Sequence, residues 1–229
     1  MKNVFFLLLF FNFINCRAQG DPLSYGPEEF QQAIKGTGIQ VLDVRTAAEF
    51  KNGHIKNALQ ADWNNQKQFN ERVQYVDKDK PVYIYCLVGG RSAAAADWMR
   101  RNGFKTVTEL RGGINAWKQG GLPLEGSPDE PQMTMEKYLD KISKDKPVLV
   151  DFGAPWCPPC VKMQPVLDSL EDTKGLKFKL VKIDAGLHTN LMKELAIGAI
   201  PVFIIYKEGK EVWRKEGVIS FGEIKEQLK

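Results

Sequence analysis

Residues 124–133, LEGSPDEPQM, hold two prolines, a glycine, a serine and three acids, and no apolar periodicity runs through them. A stretch of that kind cannot serve as a core strand or a core helix, so it divides the 229-residue chain into two segments of ordinary domain size. Each segment must then close a core of its own. The expected boundaries are 22–124 for the first unit, 125–133 for the connection and 134–229 for the second.

Both segments alternate short apolar runs with helical patterns. In the first, IQVLDV (39–44), PVYIYC (81–86) and TVTEL (106–110) read as buried strands. GPEEFQQAIKG reads as a helix that starts on a proline and stops at Gly36, and RSAAAADWMRRNG as one that stops at Gly103. In the second, helix MEKYLDKIS precedes strand PVLVDFG, a helix from Cys157, strand FKLVKIDA, helix TNLMKELA and strand PVFIIY. KEGKEVWRKEG reads as two short strands around Glu208–Lys210, and SFGEIKEQLK as a last helix. The expectation is α/β throughout: a parallel sheet first, then a mixed sheet with helices on both faces.

With 43% hydrophobic and 26% charged residues, the composition is that of a globular protein. The net charge of +4 is interspersed rather than clustered, which gives no footprint for nucleic acid. The N-terminus, MKNVFFLLLFFNFINCRAQG, has Lys2 and then an apolar run from Val4 to Ile14. As a helix that run rises about 16 Å, half of a bilayer core. It fits an export signal, with cleavage expected after Ala18, so residues 1–18 are read as a signal peptide. Cys16 offers a second route: its place after the run is similar to that of the acylated cysteine of bacterial lipoproteins, with residues 1–15 as the signal. Export to the periplasm or beyond is expected either way, with membrane anchoring only through Cys16. Cleavage after Ala18 leaves Cys86, Cys157 and Cys160, an odd count that points to a thiol in chemical use.

Cys157 and Cys160 stand three apart in APWCPPC, at a strand-to-helix junction. That spacing brings the sulfurs within reach of each other, and a helix N-terminus stabilises the first as a thiolate. Zinc would need four ligands, and the only histidines, His54 and His188, lack metal spacing to the pair. Residues 147–217 resemble thioredoxin in PVLVDFGAPWCPPC, Lys162, Pro165, VKIDA and AIPVF. The resemblance implies Cys157 as the exposed nucleophile and Cys160 as the resolving thiol of a redox disulfide. Asp151 would be the buried acid that helps deprotonate Cys160, Lys182 its neighbour, Trp156 a supporting residue and Pro201 a cis-proline facing the pair. Pro158 stands where thioredoxin has glycine in WCGPC, which affects the potential rather than the fold.

CLVGGRSAAAADW poses a separate question, because Cys86 closes a strand and a glycine turn then opens a helix. Packing, anion binding and sulfur chemistry all remain possible for such a thiol. Successive amides of the turn, from Leu87, Val88, Gly89 and Gly90 to Arg91 and Ser92, make a concavity for an anion, and Arg91 adds a charge that cannot titrate away. Tyrosine-phosphatase-like enzymes place five residues between cysteine and arginine, whereas rhodaneses commonly have CxxGxR. Here four residues intervene, so the loop resembles the rhodanese one. VLDVRTAAEFKNGHIKNA and LRGGINAWKQGGLPL resemble the opening and closing stretches of a single rhodanese domain. The resemblance implies a persulfide on Cys86, amides 87–92 as its cradle, Asp43 and Arg45 as supporting residues, and a structural His54. Leu87 and Val88 are apolar where rhodaneses that take thiosulfate often carry polar residues, which favours a low-charge or protein-bound sulfane donor.

Together the two resemblances imply an exported sulfurtransferase and thiol-disulfide oxidoreductase with no cofactor and no metal. Cys86 would pass sulfane sulfur to Cys157, Cys160 would release it as hydrosulfide, and a membrane or periplasmic thiol reductant would reopen the disulfide. The alternative is a general periplasmic disulfide reductase whose first half binds a partner or a sulfur species without turnover.

Overall fold

The computed structural model describes residues 23–126 and 131–229. The N-terminal stretch read as an export signal, Cys16 with it, and residues 127–130 of the connection lie outside the described residues. The first unit runs β1 (Ser24–Tyr25), α1 (Pro27–Ala33), β2 (Gln40–Asp43), α2 (Ala47–Lys51), β3 (Ala58–Gln60), α3 (Gln66–Val73), β4 (Val82–Tyr85), α4 (Gly90–Arg101), β5 (Val107–Leu110) and α5 (Gly113–Gln119). The second runs α6 (Met135–Leu139), β6 (Val148–Gly153), α7 (Pro158–Glu171), β7 (Lys179–Asp184), α8 (Thr189–Glu194), β8 (Val202–Lys207), β9 (Lys210–Glu216) and α9 (Phe221–Leu228).

The first sheet has the order β1-β5-β4-β2-β3, and every pairing in it is parallel. Parallel strands need crossovers, and the helices between them cover both faces. Leu42, Val44, Val82 and Ile84 pack with Phe69 and Val73 of α3 and with Ala95, Ala96 and Met99 of α4. Val41 and Tyr85 pack oppositely, with Phe30, Phe50, Ile114 and Trp117 from α1, α2 and α5. The alternation along β2 and β4 is the two-residue period of a strand buried on both sides. The short elements β1, β3, α2, α3 and α5 show no clear pattern in sequence; two to eight residues carry too few periods to show one.

The second sheet has the order β7-β6-β8-β9, with β6 parallel to β7 and antiparallel to β8. Tyr138 and Leu191, from α6 and α8, cover one face, and Met163, Leu167, Ile224 and Leu228, from α7 and α9, cover the other. The region expected as two short strands around Glu208–Lys210 is one hairpin. β8 continues to Lys207, and Glu208 and Gly209, with φ of 52° and 77°, turn the chain into β9. α6 stops at Leu139, short of the expected Ser143.

Four helices begin on side chains that the sequence supplies for the purpose. Thr46, Asn65, Thr134 and Ser220 each accept from the backbone amide three residues on, and at α2 Glu49 completes a capping box. α7 instead begins on a sulfur: Cys157 Sγ accepts from Cys160 N at 3.3 Å.

Candidate active site

Cys86 follows β4 at the carboxyl end of the parallel sheet and is 1% exposed. Its sulfur accepts from Gly89 N at 3.1 Å and from the Ser92 hydroxyl at 3.5 Å. Burial pushes the thiol up. The Ser92 hydroxyl and the amides of Ser92, Gly89 and Val88 outweigh that burial, so the pKa lies below its ordinary value. Gly89, at φ 116°, turns the chain so that these amides face the sulfur. Leu87 and Val88 form the rim, 37% and 61% exposed, as an apolar mouth requires.

Two features of this cradle escaped sequence reasoning. Arg91 makes a two-pronged ion pair with Glu49, at 2.8 and 2.6 Å, so its charge arrives already balanced. The Arg91 guanidinium holds the Glu49 carboxyl down at about 2. Within its own segment Glu49 is the first-turn capping partner of Thr46, and nothing local shows a contact to a residue 42 positions away. The second feature is LRGGINAW. Ile114 N and Asn115 N donate to the carbonyls of Cys86 and Leu87, at 2.9 and 3.1 Å, and pin the start of the loop from behind. Gly113, at φ 61°, lies so close that a Cβ there would meet Cys86 O, Leu87 C and Leu87 O at 2.6 Å. No side chain fits at this position.

Asp43 and Arg45 lie behind the loop rather than in it, 0% and 2% exposed, joined at 2.5 Å. Arg45 also donates to Gly53 O and stands over the Tyr85 ring, while Tyr85 accepts from Ile55 N. His54 stacks on Phe50 at 3.7 Å, its Nδ1 is 3.0 Å from Phe50 O, and its backbone pairs with Glu125. It is a packing residue, as expected. His188 precedes α8, where its Nδ1 accepts from Met133 N.

In the second unit Cys157 and Cys160 form a disulfide. The Ile200–Pro201 bond is cis, as expected, and Cys157 Sγ lies 3.8 Å from Ile200 O. Asp151 and Lys182 are register partners across β6 and β7. Burial raises Asp151 to about 6, against the pull of Lys182, whose ammonium donates to Gln164 at 3.0 Å. Asp151 Oδ1 and Cys160 Cβ flank Gly153. The sign of the linkage follows. An unfolded Asp151 releases its proton near its ordinary value, while the folded one holds it to about 6, so this residue lowers stability as pH rises through that window and fully above it. Asp151→Asn is expected to raise unfolding free energy by about 2 kcal/mol at pH 8 and to leave it nearly unchanged at pH 4. Denaturant titrations of the oxidised chain at the two pH values check this. An equal effect at both would show that packing, not titration, is what Asp151 contributes.

One expectation fails. Cys157 is 0% exposed, not an exposed nucleophile, while Cys160 is half-buried. Next to it, the two units meet at Trp156. Its carbonyl accepts from Gln60 N at 2.7 Å, at the end of edge strand β3. Its ring packs on Phe50 at 5.5 Å, and Arg72 stands over it at 5.3 Å. Burial lowers Arg72 to about 10, and its guanidinium is held by the Gln60 side chain and carbonyl. Gln60, Asp43 and Tyr85 are successive register partners across β3, β2 and β4. Trp156 therefore extends the row that ends beside Cys86, with its backbone three strand spacings, roughly 14 Å, from Tyr85.

The family model of a rhodanese-like domain matches residues 26–120, and that of thioredoxin matches residues 130–229. The chain is 37% identical over 98 residues to a sulfurtransferase of Allochromatium vinosum, covering 42% of this chain and 89% of that protein. It is 38% identical over 98 residues to the chloroplastic thioredoxin Y of Oryza sativa subsp. japonica, covering 42% and 58% respectively. A thioredoxin-like protein of a Synechocystis strain is 36% identical over 83 residues, covering 36% of this chain and 79% of the relative. The chain spans about half to three-fifths of the length of the chloroplast thioredoxins it matches.

Proposed function

The chain belongs to the rhodanese-like and thioredoxin families, one domain of each in that order, and on that premise we propose that it is a sulfurtransferase whose acceptor is its own dithiol. Cys86 takes sulfane sulfur from a small-molecule or protein-bound donor and becomes a persulfide, held by the amides that face its sulfur. The reduced Cys157 thiolate attacks the outer sulfur, which leaves Cys86 as thiolate and Cys157 as persulfide. Cys160 then attacks the inner sulfur of Cys157, expelling hydrosulfide and closing the Cys157–Cys160 disulfide. A thiol reductant reopens the pair. Export, with the reductant at the membrane or in the periplasm, belongs to the same proposal.

The observation that carries it is the Gln60–Trp156 hydrogen bond, which seats the dithiol end of the second domain at the same sheet end as Cys86. The offset of roughly 14 Å means that transfer requires the second domain to move along that end. Glu125 is tied to His54 and Gln132 to Leu187. The connection between those anchors, residues 126–131, reaches ~20 Å when extended, enough for the move. A tether of that length keeps the effective concentration on the order of mM.

The test is the mass of the Cys86 peptide after treatment with a sulfane donor. A gain of about 32 Da, one sulfur atom, is expected in the full chain. It is expected to vanish when the dithiol is first reduced, and to persist in Cys157→Ser. Loss of the added sulfur from Cys157→Ser at the wild-type rate would rule out Cys157 as the acceptor.

A further inference from the structure

β2 and β4 are parallel neighbours, so the helices that follow them, α2 and α4, begin at the same end of the sheet, beside Cys86. Their first turns carry Glu49 and Arg91. Both terminal nitrogens of Arg91 donate to the Glu49 carboxylate, at 2.8 and 2.6 Å, so the fork with which a guanidinium grips an oxyanion is already filled. The carboxylate is tied from a second side as well: its Oε2 accepts from the Thr46 amide and the Thr46 hydroxyl, each at 3.0 Å. The Arg91 guanidinium, helped by Thr46, holds Glu49 down at about 2, so it is charged at neutral pH. Arg91 in turn is raised by Glu49 first and then by the charges of Cys86 and Asp43, which puts it within electrostatic reach of the sulfur. Arg45, behind the loop, is closed in its own pair with Asp43. The Cys86 sulfur itself meets the Gly89 amide and the Ser92 hydroxyl, under a rim of Leu87 and Val88. Hydrogen bonds are on offer there, and neither ion pair adds a net positive charge.

We propose that Glu49 sets which donors Cys86 accepts: seated on Arg91, its carboxylate turns away a doubly charged donor such as thiosulfate and leaves the site to an organic persulfide, RSSH. In the accepted reaction the Cys86 thiolate attacks the outer sulfur of RSSH and the donor's S–S bond breaks. Cys86–S–SH and RS⁻ form, RS⁻ takes a proton from water, and no outside oxidant or reductant is needed. In the rejected reaction the thiolate attacks the outer sulfur of thiosulfate and expels sulfite. That gathers three negative charges at a mouth whose cation is already paired, against one for the persulfide. The sulfonate oxygens would also have to displace Glu49 from the Arg91 fork, whereas an apolar carrier R can rest on the exposed Leu87 and Val88. Glu49 touches no reacting atom and acts through Arg91. The inference names the donor class of the proposed function, and it rests on a persulfide forming at Cys86 but not on transfer to Cys157.

The experiment mixes the oxidised full chain with thiosulfate or with 2-hydroxyethyl persulfide and reads, by peptide mass, the initial rate at which Cys86 gains one sulfur atom. The quantity compared is the ratio of the two rates at equal, subsaturating donor concentrations. Wild type is expected to load from the persulfide at least about tenfold faster. Glu49→Gln keeps an acceptor for Thr46 and removes the charge. It is expected to raise the thiosulfate-to-persulfide ratio by about tenfold or more, because a freed Arg91 attracts two charges more strongly than one. That gain is expected to fall by at least about half when salt is raised to about 0.5 M, and to vanish when Arg91→Gln is added to Glu49→Gln. A loosened loop would instead move both donors alike and ignore salt. A ratio within about twofold of wild type in Glu49→Gln overturns the proposal. So does a gain that survives salt or the double change, and so does wild-type loading as fast from thiosulfate as from the persulfide. If wild-type Cys86 takes sulfur from neither donor, the persulfide reading of Cys86 falls and this inference with it; persulfide loading with an unmoved ratio overturns this inference alone.

Discussion

Cys86→Ser is expected to lower sulfane-dependent hydrosulfide release by on the order of 10³-fold or more, since a missing covalent nucleophile leaves only binding and orientation behind. A serine hydroxyl is nearly the size of the thiol and stays hydrogen-bonded to Gly89 N and Ser92, so the cradle survives the change. It cannot hold a sulfane sulfur. Reduction of a disulfide substrate by the second domain, which does not involve Cys86, is expected to stay at the wild-type rate in the same variant. Cys157→Ser is expected to show the opposite split: sulfur loads onto Cys86, and hydrosulfide release falls as far as in Cys86→Ser. Cys160→Ser should stall one step later, with the added sulfur on Cys157. The readouts are hydrosulfide production with a donor and a reductant, and peptide mass for the position of the sulfur. Wild-type hydrosulfide release from Cys86→Ser would mean that the donor reacts directly with the dithiol, and that the first domain serves as a binding module.

What sequence could show of this site follows the range of the forces involved. The cradle is local: a strand end, a glycine turn and a helix start lie within eight residues, so YCLVGGRS already carries its amides and its Ser92 bond. The dithiol and the cap it makes on α7 are local in the same way. Glu49 on Arg91 and the Gly113 pin behind Cys86 depend on parallel strands bringing distant segments to one sheet end, and no pattern of spacing reports that. Trp156 is the clearest case. Its place beside Cys157 was readable, but its partners Phe50, Gln60 and Arg72 belong to the other domain. These contacts could not be anticipated from a domain considered alone. The long strands and helices were legible because both faces of β2, β4, β6 and β8 are covered, which demands unbroken apolar runs.

Asp43→Asn is expected to cost about 3–5 kcal/mol of stability, because it leaves the Arg45 guanidinium charged, 2% exposed and without its counterion. Arg45 Nε and Nη2 both bond to the Asp43 carboxylate, and Asp43 Oδ1 also accepts from Arg45 N. An amide of the same shape keeps one acceptor for these donors but turns an NH₂ toward the others. Beyond Asp43, the Arg45 side chain donates to Gly53 O, too little for a buried cation. The charge, rather than the lost contact, sets the size of the effect. Asp43→Asn combined with Arg45→Met is therefore expected to recover at least about half of the loss, since an apolar side chain of similar length fills the space without a charge to solvate. Denaturant midpoints of the single and double variants check this, and a double variant as unstable as the single one would assign the loss to packing. The damage is also expected to reach the domain contact. Arg45 O accepts from Gln60 Nε2, and the Gln60 backbone in turn holds Trp156. A loosened Gln60 should speed maleimide labelling of Cys157 in the reduced chain under conditions where both domains remain folded.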